Sequence, residues 1–192
     1  MTIMKRITLF ILLFTTFSIF AQDKFKTNTA IVNFEATVPF FEEIKAVNNL
    51  GTIVLEPETS TLLCTVVIKD FRFKMDLMQT HFNENYLESD RYPKSVFKGK
   101  IEQFNLVDIG ETEKEYAVKG KLYLHGKSKI IEMKAFIKKV PEGIQISCNY
   151  PIEVADFDIA IPNVVAGKIS KTAHTNLAGV LRSNEPMYVT LK

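Results

Sequence analysis

Residues 30–38 alternate in a period of two. Ala30, Val32, Phe34, Ala36 and Val38 fall on one face, while Asn33, Glu35 and Thr37 fall on the other. That spacing suits a strand with one face buried and does not suit a helix, whose apolar positions recur every three or four residues. Residues 144–154 repeat the pattern. Ile144, Ile146, Cys148, Tyr150, Ile152 and Val154 face one way, with Gln145, Ser147, Asn149 and Glu153 mostly opposite. Pro151 cannot donate to a ladder, so this strand is expected to lie at an edge or to be interrupted there.

Weaker alternation marks strands at 61–69, 95–104, 115–125 and 129–139, with others expected near 50–56, 175–182 and 187–191. Gly126-Lys127, Pro141-Glu142-Gly143 and Gly110-Glu111 supply turn chemistry between consecutive strands. Two stretches depart from this. Met75, Met78, Phe82 and Tyr86 fall at helical spacing within 74–90, which holds no Gly or Pro, so a short helical segment is expected there. Residues 155–170 read as a short helix or an ordered loop. Eight or nine short antiparallel strands in one domain form a sandwich or a closed barrel. The meander order favours an all-β, antiparallel up-and-down barrel of about eight strands, because closure leaves no exposed edges. A membrane-spanning barrel is disfavoured, since it would turn its apolar residues outward between aromatic girdles.

The first 21 residues are of another kind. Lys5 and Arg6 precede an uncharged apolar run over 7–20, and Ala21 follows. This is the layout of a cleaved signal peptide, with the cut expected after Ala21 and a periplasmic or secreted destination. At 14 residues the run is short for a membrane span, so no stable membrane insertion is expected. Removing 1–21 takes Lys5 and Arg6 with it and leaves a barrel domain over 22–192 with 22 basic and 22 acidic residues. A nucleic-acid partner would need a basic surplus, and none remains. The oligomeric state stays open, a homodimer included.

Catalytic signals are weak. His81, His125 and His174 are 44 and 49 residues apart, with no close metal-site spacing. There is no GxSxG elbow and no glycine-rich phosphate loop. Glu111, Glu113 and Glu115 read as a solvated face. No catalytic residue, metal or cofactor is assigned, and the chain reads as a non-enzyme. Cys64 and Cys148 each share a face with apolar neighbours. In an oxidising compartment they are open to a disulfide, or they are two small buried hydrophobes.

The stretch KMDLMQTHFNENYLESDRYPKSVFKGKI, residues 74–101, holds His81-Phe82, Tyr86, Tyr92-Pro93 and Phe97 in order. Downstream, YAVKGKLYLHGKSKIIEM holds Gly120, Leu122, Leu124, His125 and Gly126. With the Val32-Asn33-Phe34 strand and the FDIAIPNVV segment, these motifs resemble the YceI family of secreted lipocalin-like proteins over about residues 25–190. The Arg-Asp usual before the histidine is replaced here by Met78-Gln79-Thr80. The resemblance implies an elongated barrel with an apolar tunnel, in which some members hold a long polyisoprenoid or similar lipid. The expected partner is then a long-chain lipid or isoprenoid. The inward alternation puts Val32, Phe34, Val66, Ile68, Leu122, Leu124, Ile146 and Tyr150 in its path, with Phe82 and Tyr86 as a lid or lateral wall. A competing reading keeps the fold and fills the interior, giving a structural or stress-related interaction module without ligand.

Overall fold

The computed structural model describes residues 24–183. The expected leader at 1–21 and the expected strand at 187–191 lie outside them. Nine strands appear in chain order: β1 (Phe25–Thr37), β2 (Lys45–Glu56), β3 (Thr61–Val67), β4 (Arg72–Phe73), β5 (Lys94–Ile101), β6 (Lys114–Leu124), β7 (Lys127–Val140), β8 (Gly143–Glu153) and β9 (Ile169–Ser183). All pairings are antiparallel. Eight strands meander round the barrel, and β1 pairs with both β2 and β9 to close it. The two-residue β4 hangs on β2 through Ala46 and Val47.

The pairing registers give the barrel two unlike ends. Phe25 lies beside Ser183 and Leu55 at one end, and Thr37 lies beside Ile169 at the other. At the Phe25 end, Ile53, Leu55, Leu62, Ile137, Ile146 and Leu181 are wholly buried and fill the interior. The hairpin ends are short there, apart from the 102–113 loop. At the other end the long connections gather: residues 38–44, 68–93 and 154–168.

The 68–93 connection carries the expected helical segment. Helix α1 (Asp76–His81) runs directly into a wider turn over Phe82–Tyr86. The connection after β8 holds two single turns, Val154–Phe157 and Asn163–Val165. The β6–β7 turn is His125-Gly126, one residue earlier than expected, with φ of 48° and 72°. Two left-handed residues in succession match the twist of a two-residue hairpin. Pro151 behaves as its chemistry requires. The β7–β8 ladder ends at Asn149, and beyond it Pro151 pairs only with His174 of β9.

The outer wall is charged. Lys98, Lys100, Lys119, Lys121, Glu132 and Lys134 are all exposed on β5–β7, which leaves no apolar band of the kind a membrane barrel needs. No helix among the described residues is long and apolar enough to cross a membrane.

Candidate functional site

Strand alternation sends every second side chain inward, but only half of the barrel is filled by them. Above Cys64 and Cys148 the interior opens into a cavity of about 640 Å³ that extends to the end where the long connections gather. This lies within the range of about 300–1,000 Å³ usual for small-molecule sites. Val66, Phe97, Leu122, Leu124, Ile131 and Leu177 form its strand walls.

One wall is aromatic. Phe34 stacks on Phe82 with ring centroids 5.4 Å apart, and Phe71 and Phe73 meet Phe34 edge-on at 5.4 and 5.7 Å. Phe73 also tilts against Phe82 at 5.0 Å. The arrangement draws one ring from β1, two from the segment after β3 and one from the turn after α1. Edge-on and offset ring pairs of this kind contribute about 0.5–1.5 kcal/mol each beyond their burial. Tyr86 reaches the cavity from the same turn, and burial raises its hydroxyl pKa above the ordinary value.

Another wall is the 154–168 connection, which contributes Val154, Ile159, Ile161 and Val165. Its anchor is Phe157, the largest of the wholly buried side chains. The Phe157 carbonyl accepts from His125 Nδ1 at 2.9 Å, and a Glu88 carboxylate oxygen stands 3.2 Å from His125 Nε2. One imidazole, its side chain only 9% exposed, therefore ties the β6–β7 turn to both flanking connections. Lys127 pairs with Asp158 at 2.6 Å, and Lys129 pairs with Asp156. Tyr92 packs edge-on against the His125 ring at 4.7 Å. A Cβ on Gly126 would come within 2.5 Å of that Tyr92 ring, so glycine is needed here both for its φ and for space.

Of the residues expected to line a tunnel, Val32, Phe34, Val66, Ile68, Phe82, Tyr86, Leu122, Leu124 and Tyr150 border the cavity. Ile146 does not, and this expectation is corrected. It lies two positions from Cys148 toward the packed end, where its side chain is wholly enclosed by the core. Alternation identifies which side of the strand faces in and carries no information on whether the interior at that height is filled. Phe71 and Phe73 were missed because the segment after β3 is too short to show a period. Phe97, Ile131 and Leu177 sit on expected strands and were recoverable from alternation.

The two cysteines are free thiols. They lie on β3 and β8, four strands apart either way round an eight-strand ring, so they face each other across the cavity. Burial pushes the Cys148 thiol up to about 11 and raises that of Cys64 too, with Cys148 adding a smaller contribution. The thiolate is the reactive form, so both should react slowly with a thiol reagent at pH 8 in the folded chain. Stability follows the same sign. From pH 9 to 11 the unfolded chain loses thiol protons that the folded chain keeps. Stability is therefore full below that window and falls through it by about 1.4 kcal/mol per pH unit for each thiol. Urea titrations at stepped pH should show this fall, and Cys64→Ala/Cys148→Ala should lack it.

The histidines do not converge. His81 borders the cavity mouth, His125 holds the β6–β7 turn, and His174 is exposed on β9. Among the described residues no three His, Cys, Asp or Glu side chains gather as a metal site would require.

The YceI-like domain model matches residues 23–179. The chain belongs to the YceI family. The same barrel occurs in solved structures of low sequence identity. A polyisoprenoid binding domain from Saccharophagus degradans superposes with a TM-score of 0.70 at 12% identity, covering 86% of this chain and 99% of that one. Burkholderia cenocepacia BcnA gives 0.63 at 12%, covering 79% and 94%. The Campylobacter jejuni YCEI protein gives 0.51 at 21%, covering 76% and 84%. At these identities the likeness carries the YceI fold alone. No curated protein matches the chain.

Proposed function

We propose that this YceI barrel binds one long apolar molecule of isoprenoid type in its cavity, acting as a carrier or store in the cell envelope and not as a catalyst. The observation that carries this reading is the division of the interior. A solid core would be the economical way to stabilise a barrel, yet here the half between Cys64 and the mouth is left open and lined almost wholly by apolar side chains. Empty apolar space forfeits packing energy, by about 24 cal/mol per Å³ in engineered cavities, so an interior left open to this extent suits an occupant. The Saccharophagus degradans relative is a polyisoprenoid binding domain, which supports the choice of ligand class. Each CH₂ of such a chain adds about 0.8 kcal/mol on burial. A ligand-free interaction module fits the packed half of the barrel and leaves the other half without a purpose.

The export reading rests on Lys5, Arg6 and the uncharged run 7–20. Both proposals are tested on one preparation, the full chain expressed in a Gram-negative host and recovered from its envelope. The intact mass should begin at Gln22, and organic extraction should release a long-chain lipid. Ala173 and Thr175 point into the cavity from β9. Replacing both with Trp should lower lipid occupancy at least about tenfold, the equivalent of about two displaced CH₂ groups. Protein that is empty in both forms overturns the carrier reading. A retained leader overturns export.

A further inference from the structure

The cavity reaches solvent where three connections meet: 38–44, α1 with the residue before it, and 159–168. The tips of those connections are apolar and exposed. Phe41, Met75 and Leu77 border the cavity and also face solvent, Leu77 being 61% exposed. Beside them Phe40 and Val164 stand clear of the protein, 105% and 86% exposed. Apolar side chains therefore continue from the barrel interior out to its rim.

Phe40 is the most telling member. Phe41 N donates to Val38 O at 3.1 Å, closing a turn with Pro39 second and Phe40 third. The φ of Phe40 is 70°, a conformation that glycine or asparagine adopts readily and a bulky ring does not. The chain thus accepts a strained backbone to hold a ring that touches nothing of its own.

We infer that this rim docks the barrel mouth-down on a lipid bilayer surface, with Phe40, Leu77 and Val164 entering the interfacial region. The inference rests on the carrier reading and adds where loading takes place. An isoprenoid-like chain is dissolved in a bilayer, and a mouth whose rim is itself in the bilayer lets the chain pass inward without crossing water. The rest of the surface suits this orientation. Phe25 and Ser183 pair at the packed end, so the described backbone leaves the barrel on the side away from the mouth. Exposed charges of both signs stand around the rim, Lys45, Lys74 and Lys168 beside Glu42, Glu43 and Asp76. Docking should then depend on apolar insertion and little on anionic lipid or salt.

The test uses residues 22–192, which contain the whole closed barrel, and vesicles of phosphatidylcholine alone. Wild type should float with the vesicles at low and high salt. Phe40→Asn/Val164→Asn should lower that partition about tenfold, the scale of one withdrawn aromatic side chain. Phe40→Asn suits the turn better than phenylalanine, and neither residue borders the cavity. Both proteins should therefore take up a fluorescent geranylgeraniol ester from cyclodextrin equally well. Uptake from cyclodextrin without vesicle binding overturns the docking surface and leaves the carrier reading standing. Vesicle binding without uptake overturns the carrier reading and leaves the docking surface. If the wild type sediments as a dimer, the double variant as a monomer, and neither floats, the rim seats a second copy and the inference falls.

Discussion

Phe157→Ala should lower the stability of the barrel by about 3–5 kcal/mol, the usual cost of emptying a fully buried aromatic site. Phe157 is 1% exposed and lies in the single turn Val154–Phe157, between the end of β8 and the wall segment that follows. The polar ties on that segment are the two Lys–Asp pairs at the surface and the bond from His125 to the Phe157 carbonyl. Exposed ion pairs hold little. Without the ring, residues 154–168 lose their most deeply buried anchor, keeping only Ile159 and Val154 against the core, and the cavity wall loosens. Urea unfolding measures the first effect. The second should appear as a lower yield of bound lipid at temperatures where the variant is still folded. Lys127→Ala should change neither appreciably. A Phe157→Ala protein with wild-type stability would mean that the wall is held by its ion pairs instead.

Gly120→Ala should cost about 1–3 kcal/mol, far more than the change of a hydrogen for a methyl group suggests. Gly120 pairs directly with Gly99 across β5 and β6. An added Cβ would stand 2.4 Å from Gly99 Cα, 2.6 Å from Lys98 O and 2.6 Å from Phe97 Cζ. Two of these three are backbone, so a rotamer change cannot relieve the clash. The glycine pair is the bed on which the Phe97 ring lies, and that ring is part of the cavity wall. A melting temperature lower by about 3–10 °C is expected for a chain of this size. Adding Phe97→Leu should recover only part of the loss, since it removes one contact of the three. Full recovery would show that the ring alone set the requirement for glycine.

The sequence makes the walls of this barrel legible, and says little about what they enclose. Ala30, Val32 and Ala36 alternate with Asn33 and Glu35 because β1 is wet on one side. Leu122 and Leu124 flank an exposed Tyr123 for the same reason. The 74–90 stretch declares itself through Met75, Met78, Phe82 and Tyr86, whose steps of three and four fit a helix and break the period of two. Ile146 and Cys148 cannot be told apart on this basis. Both are apolar, inward and on one strand, yet one is packed and the other borders open space, and that depends on side chains arriving from seven other strands. Arg72-Phe73 is too brief to show any period. Gly99 and Gly120 stand out only as glycines inside strands, and their role becomes visible when β5 and β6 are laid side by side.

The closed lower half of the barrel has a consequence for exchange. A pipe could take up a molecule at one end and release it at the other. A barrel sealed by Leu55, Leu62, Ile137 and Leu181 is a cup. Whatever enters must leave by the same opening, the last carbon in being the first out. Net movement then cannot be set by the barrel itself. It would be set by the difference between the two places at which the cup is tipped.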